Sequence, residues 1–189
     1  MRRAWQAILI GSTLVASWLG MQAVHELGHV LGAWGTRATV QRVVLWPLSI
    51  SRTDVTDNSH PLIVAWAGPI VGVLLPLVLW FVAVAVRLPG AFVLRFFAGF
   101  ALVANGLYIG LGSFGGIGDC GEMLRHGSER WQLWLFGLIA TPLGFALWHR
   151  QGTAFGFGVA RGEVSRGVSY AMVVVCLVLV VIGVVVGGD

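Results

Sequence analysis

The chain has 189 residues, of which 57% are hydrophobic and 11% are charged, and its mean hydropathy is +0.86. This composition is typical of an integral membrane protein and excludes a soluble domain, which needs a more polar surface. The net charge is +4, and all 12 basic residues are Arg, spread in ones and twos between apolar runs. A nucleic-acid-binding surface would cluster them, so we expect no nucleic-acid partner and one membrane-embedded domain over residues 1–189.

The first apolar segment, residues 4–34, contains the sequence HELGH at residues 25–29. On a helix this spacing places His25 and His29 on one face, close enough to bind one zinc ion. Glu26 can then act as general base on a zinc-activated water without being a ligand. Each ionisable group at membrane depth costs roughly 2.5–3.5 kcal/mol on insertion scales, and a metal ion compensates for that cost. We therefore predict a zinc site here.

After Arg37 the pattern changes to two short β-favouring pieces, residues 38–46 and residues 48–55, with Pro47 between them. Val and Thr enrichment bounded by Pro, Asp and Asn is typical of strands. We predict two strands or an irregular hairpin at the membrane surface, with an ordinary interfacial loop as the alternative. If the strands form, one of them has a free edge.

The second predicted span, residues 61–87, contains the sequence AGP at residues 67–69. In lipid, a Gly or Pro break is tolerated only where neighbours or water bind the freed backbone groups. Gly68 and Pro69 are therefore candidates for substrate contact. A kinked packing helix with no further role is the alternative.

The third predicted span, residues 91–113, carries Asn105 and ends in a glycine-rich stretch. The glycine density from Gly110 to Gly118 predicts unwound backbone in place of helix. We expect Asp119 to follow as the N-cap of a short helical turn that ends near Arg125.

Two more spans are predicted at residues 131–149 and residues 168–187, the first bounded by Trp side chains at its interfaces. The predicted fold class is an all-α polytopic membrane protein with about five transmembrane helices and a small β-hairpin or strand pair between the first two spans. We expect a multi-pass protein of a bacterial-type cell membrane. The Arg residues are nearly balanced between the two sides, so the orientation stays open, as does the oligomeric state.

A catalytic zinc ion takes three protein ligands and keeps a fourth position for water, so the chain must supply a third ligand. The candidates outside obvious loops are Asp119, Cys120, Glu122 and His126. Spans one and three run in the same direction, which brings the glycine-rich end of span three to the side that carries residues 25–29. Asp119 lies at that end, on a segment flexible enough to reach the metal.

Three motifs in this order resemble the site-2 protease family of intramembrane zinc metalloproteases. They are HELGH in a membrane helix followed by β-like sequence, AGP in the next span, and DCGEMLR at residues 119–125. The likeness covers about residues 15–125 and leaves the last two spans as additions. It implies an enzyme that hydrolyses a peptide bond in or near a transmembrane segment of a membrane-protein substrate. It also implies one Zn²⁺ held by His25, His29 and Asp119, with Glu26 as general base.

The chain departs from the family pattern at two positions. Cys120 stands where the family has Gly after the ligand, and a thiol beside zinc can compete for it. The family also carries an Asn followed by Pro shortly before the Asp, whereas Asn105 lies farther upstream and no Pro intervenes. Asn105 is therefore interpreted either as a substrate or oxyanion contact or as a helix-packing amide.

Two other functions use the same residues. A membrane metal transporter or sensor would need further carboxylates or histidines along the last two spans, whose apolar middles hold none. A catalytically inactive, helix-binding relative would give Glu26 no role beside two intact His ligands in lipid. Both stay open as alternatives to the protease.

Overall fold

The structure is a computed structural model that describes residues 2–47 and 50–187. It is mostly helical, at 76%. The helices in the described ranges are α1 (Arg2–Gly35), α2 (Pro61–Ala85), α3 (Ala91–Gly115), α4 (Asp119–Arg125), α5 (Arg130–Trp148) and α6 (Arg166–Gly187). Two short 3-10 turns, Gly152–Phe155 and Gly158–Ala160, connect α5 to α6.

Five of these helices, all except α4, are long and apolar enough to cross a membrane. Their ends lie within two residues of the predicted spans, so the predicted helical pattern is confirmed. Their apolar side chains are largely on the outside: only 6% of the most apolar window of α6 is buried. Apolar surface of this extent is typical of contact with lipid and suggests a membrane protein.

Helix α1 continues without interruption over 34 residues, across both Gly11 and Gly20. At 1.5 Å per residue its length is about 50 Å, which exceeds a hydrocarbon core of about 30 Å. A continuous helix of this length must therefore tilt or protrude. Helix α2 also continues through Pro69 and Pro76.

At the glycine-rich end of α3, the prediction of unwound backbone from Gly110 to Gly118 is largely wrong. The helix continues through Gly110 and ends only at Gly115, so the unwound backbone is limited to residues 116–118. Gly110 lies against α5, where an added Cβ would come within 3.2 Å of the Gly137 Cα atom. The glycines of α3 allow the two helices to approach closely, and helix packing therefore overrides the local tendency to unwind.

Helices α1 and α2 also pack through small residues. A Cβ atom at Gly28 would overlap the carbonyl oxygen of Ala67, and one at Gly32 would lie 2.7 Å from the Ala67 Cβ. A Cβ at Gly68 would overlap the imidazole of His29. The absence of side chains at these glycines therefore lets α2 lie directly against the part of α1 that carries HELGH.

The predicted strand pair is confirmed as a two-stranded antiparallel sheet of β1 (Thr39–Val44) and β2 (Arg52–Thr56). Both strands are shorter than predicted, and Leu48 and Ser49 of the predicted second strand lie outside the described residues. The register shifts between Val40 and Arg42, which marks a bulge-like irregularity in β1.

The sheet is attached to the end of α1 and the start of α2 by a small apolar cluster. Val40 of β1 and Val55 of β2 pack against Ala33, Ala38 and Val64. This contact holds the sheet beside the last turns of α1. As a result, side chains of β2 face the HELGH segment.

We predict that Gly28→Ala destabilises the protein. The added methyl group meets backbone atoms of α2, and overpacking of this kind costs about 1–3 kcal/mol. Gly11→Ala is the matched control, because nothing lies within 4 Å of that position and Ala is favoured over Gly in a helix by about 1 kcal/mol. Thermal unfolding of the zinc-free protein in detergent measures both variants. Equal or higher stability of Gly28→Ala would contradict the close α1–α2 contact.

Candidate metal centre

Potential ligand atoms of three side chains from α1 and α4 converge on one point. The Nε2 atom of His25 lies 2.8 Å from Oδ2 of Asp119, and Nε2 of His29 lies 3.3 Å from Oδ1 of Asp119. The two Nε2 atoms are 3.1 Å apart. Zinc bonds of 2.0–2.2 Å in tetrahedral geometry place ligand atoms about 3.3–3.5 Å apart. The group therefore has the dimensions that one metal ion requires, after a small outward adjustment.

The other nitrogen of each imidazole is bound to a hydrogen-bond acceptor. His25 Nδ1 donates to Asn105 Oδ1 at 2.7 Å, and His29 Nδ1 donates to the Val64 carbonyl at 2.8 Å. The Asn105 amide nitrogen donates to the Ala101 carbonyl, which orients its oxygen toward His25. Because both Nδ1 atoms carry hydrogens, the neutral imidazoles direct their Nε2 lone pairs at each other. This is the arrangement found around metal-binding histidines.

The ligand group is largely shielded from solvent. His25 and His29 are each 7% exposed, and the Asp119 side chain is 21% exposed. Burial alone would raise the pKa of Asp119, but His25 and His29, which can donate from Nε2 to the carboxylate when they are protonated, outweigh it and hold that pKa well below its ordinary value. Asp119 is therefore ionised, as a metal ligand must be.

A turn that depends on a glycine directs the Asp119 side chain at the two histidines. Gly118 has φ 58° and ψ −141°, a conformation that favours glycine. Helix α4 begins at Asp119 itself with Gly118 as N-cap, so the prediction that Asp119 would be the N-cap is wrong. The Asp119 backbone N–H donates to the Tyr108 hydroxyl at 3.2 Å. Tyr108, which sequence reasoning missed, thus holds the turn while the carboxylate faces the imidazoles.

Cys120 lies outside the ligand group. Its thiol is fully buried and donates to the backbone carbonyls of Tyr108 and Ile109 at 3.5 and 3.6 Å. Burial raises the pKa of the thiol to about 11, and the Asp119 carboxylate adds to the rise. Zinc binds the thiolate, so a thiol in this environment is a poor ligand.

Glu122 and His126 also lie outside the group. Glu122 pairs with Arg125 and with His126 on the exposed side of α4. Within the described ranges, the cluster of His, Cys, Asp or Glu side chains with metal-binding geometry is His25, His29 and Asp119. Of the four candidates for the third ligand, the geometry therefore favours Asp119.

Glu26 is buried beside the ligand group and is bound by hydroxyl groups just before and within β2. It is 3% exposed, and it accepts hydrogen bonds from Ser51 Oγ at 2.7 Å and from Thr53 Oγ1 at 2.6 Å. The Ser51 backbone N–H donates to Gln22 Oε1 at 2.9 Å. Sequence reasoning missed both hydroxyl donors and the contact of Ser51 with Gln22. The sequence feature that could have indicated these contacts is Gln22, a polar residue one helical turn before Glu26 in a largely apolar segment.

A cavity of about 800 Å³ opens onto these residues. Its polar part includes His25, Glu26, His29, Asn105 and Asp119, and β2 forms one wall. Trp18 and Met21 of α1 contribute apolar surface to its lining. The volume is sufficient for several residues of an extended peptide.

The three predicted substrate contacts have different surroundings. Asn105 lines the cavity, although its oxygen is engaged by His25. Gly68 and Pro69 are buried in α2, and Gly68 faces the His29 ring across the contact with α1. Contact of these three residues with a substrate stays a prediction.

No protein-family model, curated protein or solved structure matches the chain. The resemblance to site-2 proteases therefore stays a prediction from the motifs.

We predict that Asp119→Ala abolishes high-affinity zinc binding, whereas Glu122→Ala in the same short helix leaves it unchanged.

Asn105→Leu removes the acceptor that orients His25, and loss of such a partner weakens metal binding about 10–100-fold. Cys120→Ala retains full zinc binding because the thiol points away from the centre. Competition with a chromophoric chelator measures all four affinities. Zinc binding that survives Asp119→Ala but is lost in Cys120→Ala would contradict this ligand assignment.

Proposed function

We propose that the chain is an intramembrane zinc metalloprotease of the site-2 type. In this proposal the five long helices lie in the lipid bilayer, and the enzyme cleaves a membrane-protein substrate in or near its transmembrane segment. The observation that carries the proposal is the convergence of His25 and Asp119, which are 94 positions apart, beside a buried carboxylate that is not a ligand. This separation of roles is what hydrolysis by an activated water requires.

The donor set suits zinc. Two imidazole nitrogens and one carboxylate are ligands that zinc binds well, and three protein ligands leave a fourth position for water or substrate. When bound, Zn²⁺ would lower the pKa of a water molecule toward 7 and polarise the scissile carbonyl. The electron-pair donors of this site would be the two Nε2 atoms and the Asp119 carboxylate.

Glu26 supplies the proton transfers. Its carboxylate accepts the proton of the attacking water and then passes that proton to the leaving amine. Each of its oxygens accepts one hydrogen bond from a hydroxyl group, from Ser51 just before β2 or from Thr53 within β2, and keeps a second lone pair for the water proton. The base is therefore held in place without losing its ability to accept a proton.

The substrate must present an unwound segment. A transmembrane helix hides its peptide bonds in internal hydrogen bonds, so local unwinding precedes attack. Antiparallel pairing with β1 occupies one edge of β2, and an extended segment of the substrate can add to a free edge of such a sheet. The cavity between β2 and the ligand group would accommodate the unwound residues.

The contacts of Glu26 favour a protease over a transporter or sensor. Both alternatives require the metal ligands, but neither requires a buried carboxylate that is held beside the metal by two hydroxyl groups. Because burial of a carboxylate is costly even when it is hydrogen-bonded, the presence of Glu26 here favours a chemical role.

We predict that Glu26→Gln abolishes cleavage and retains zinc. The amide has similar size but accepts no proton at neutral pH. New N termini of membrane proteins, identified by mass spectrometry, are compared between membranes that contain the wild-type protein and membranes that contain the variant. Termini specific to the wild type support the proposal. If Glu26→Gln with zinc bound produces the same termini, the protease mechanism is wrong and a metal transporter or sensor becomes the better interpretation.

A further inference from the structure

We propose that Ser51 and Thr53 are positioning residues that orient the Glu26 carboxylate for proton transfer. This inference rests on the proposed protease function and adds two positioning residues, one just before β2 and one within it. The hydroxyl of Ser51 binds Oε1 of Glu26, and the hydroxyl of Thr53 binds Oε2. Each carboxylate oxygen therefore has its own donor.

Because the Glu26 carboxylate is buried, these two hydrogen bonds take the place of hydrogen bonds to water. Glu26 is 3% exposed, and an ionised carboxylate out of water requires hydrogen-bond donors. Within the described residues, its side-chain partners are the hydroxyls of Ser51 and Thr53. Hydrogen bonds to an ionised group are roughly twice as strong as those between neutral groups. With one donor at each oxygen, the carboxylate cannot rotate about its terminal bond without breaking both contacts.

The chemistry of the donors also suits a general base. Hydroxyl groups are neutral, so they orient the carboxylate without placing a cation beside it. Ser51 and Thr53 therefore hold the base without neutralising it.

A third hydrogen bond ties the same segment to α1. The Ser51 backbone N–H donates to Gln22 Oε1 at 2.9 Å, and Gln22 lies one helical turn before Glu26 on the same face. Thr53 is itself part of β2, where it pairs with Val43 of β1. The position of the base is thus coupled to the sheet. A substrate segment added to that sheet would meet Glu26 at a fixed distance.

The first test is kinetic. The substrate is a single-span membrane protein whose new N terminus is absent from the Glu26→Gln membranes, reconstituted with zinc in vesicles of phosphatidylethanolamine and phosphatidylglycerol. Thr53→Val keeps the side-chain shape and removes the hydroxyl, and we expect kcat to fall about ten-fold. The KM and the zinc affinity should stay within two-fold of wild type. Ser51→Ala should give a similar loss, and the two substitutions together should lower kcat further.

Two variants control for structural effects. Thr53→Ser restores a hydroxyl and should return kcat to within about three-fold of wild type. Thr56→Val makes the same change on the same strand at a residue outside the cavity lining, and it should leave kcat unchanged. If Thr53→Ser is as slow as Thr53→Val, or if the loss appears in KM alone, the positioning role is wrong.

The second test measures the contact without activity. In zinc-free protein, Thr53→Val should lower the melting temperature by about 3 °C when Glu26 is present, and by less than 1 °C in a Glu26→Ala background. Equal shifts in both backgrounds would show that the hydroxyl does not bind Glu26 and would overturn the inference.

The two tests separate the two proposals. Coupled melting shifts combined with unchanged kcat would make the hydroxyls purely structural and overturn the positioning role alone. If wild-type and Glu26→Gln membranes yield the same termini, the protease proposal fails and the catalytic role of the hydroxyls fails with it.

Discussion

The structure depends on one electrostatic arrangement: two imidazole lone pairs and a carboxylate directed at a common point. His25 and His29 donate their Nδ1 hydrogens outward, to Asn105 and to the Val64 carbonyl. Their Nε2 atoms therefore face Asp119 with no hydrogen of their own when the rings are neutral. Such a concentration of acceptors is unfavourable unless a cation or additional protons lie between them. The surrounding packing can be understood as the means by which the chain maintains this arrangement.

Small residues maintain it from the helix side. Gly68 leaves room for the His29 ring, and Gly28 lets α1 lie against the backbone of α2. Gly118 adopts a glycine-favoured conformation that turns Asp119 back toward α1. In a lipid bilayer, close packing and buried hydrogen bonds would have to replace much of the hydrophobic driving force between helices. The same glycines that bring the helices together therefore also create the site.

Much of the fold was predictable because its signals are local. Apolar runs bounded by charged, Pro and Gly residues predicted five long helices, and the i, i+4 spacing of His25 and His29 predicted a shared face. The strand pair followed from the β-branched stretch after Arg37, although its length did not. Asp119 emerged from topology and from the resemblance, since no local pattern connects it to residues 25–29.

The remaining features depend on tertiary contacts that sequence patterns do not show. The glycines near the end of α3 predicted unwinding, yet Gly110 packs against Gly137 and the helix continues. From its position beside Asp119, the Cys120 thiol was expected to be able to compete for zinc. In the structure it is buried against the Ile109 carbonyl, outside the ligand group. The hydroxyls of Ser51 and Thr53 come from another element, and their contact with Glu26 is visible only once the sheet is folded onto α1.

X-ray absorption at the zinc K-edge tests the central claim most directly. The purified protein is loaded with one equivalent of Zn²⁺, and the distances and elements of the ligand atoms are read from the extended fine structure. We predict nitrogen and oxygen ligands only, at about 2.0–2.2 Å, with the multiple-scattering pattern of two imidazoles. A sulfur ligand at about 2.3 Å, or scattering from fewer than two imidazoles, would contradict a centre formed by His25, His29 and Asp119.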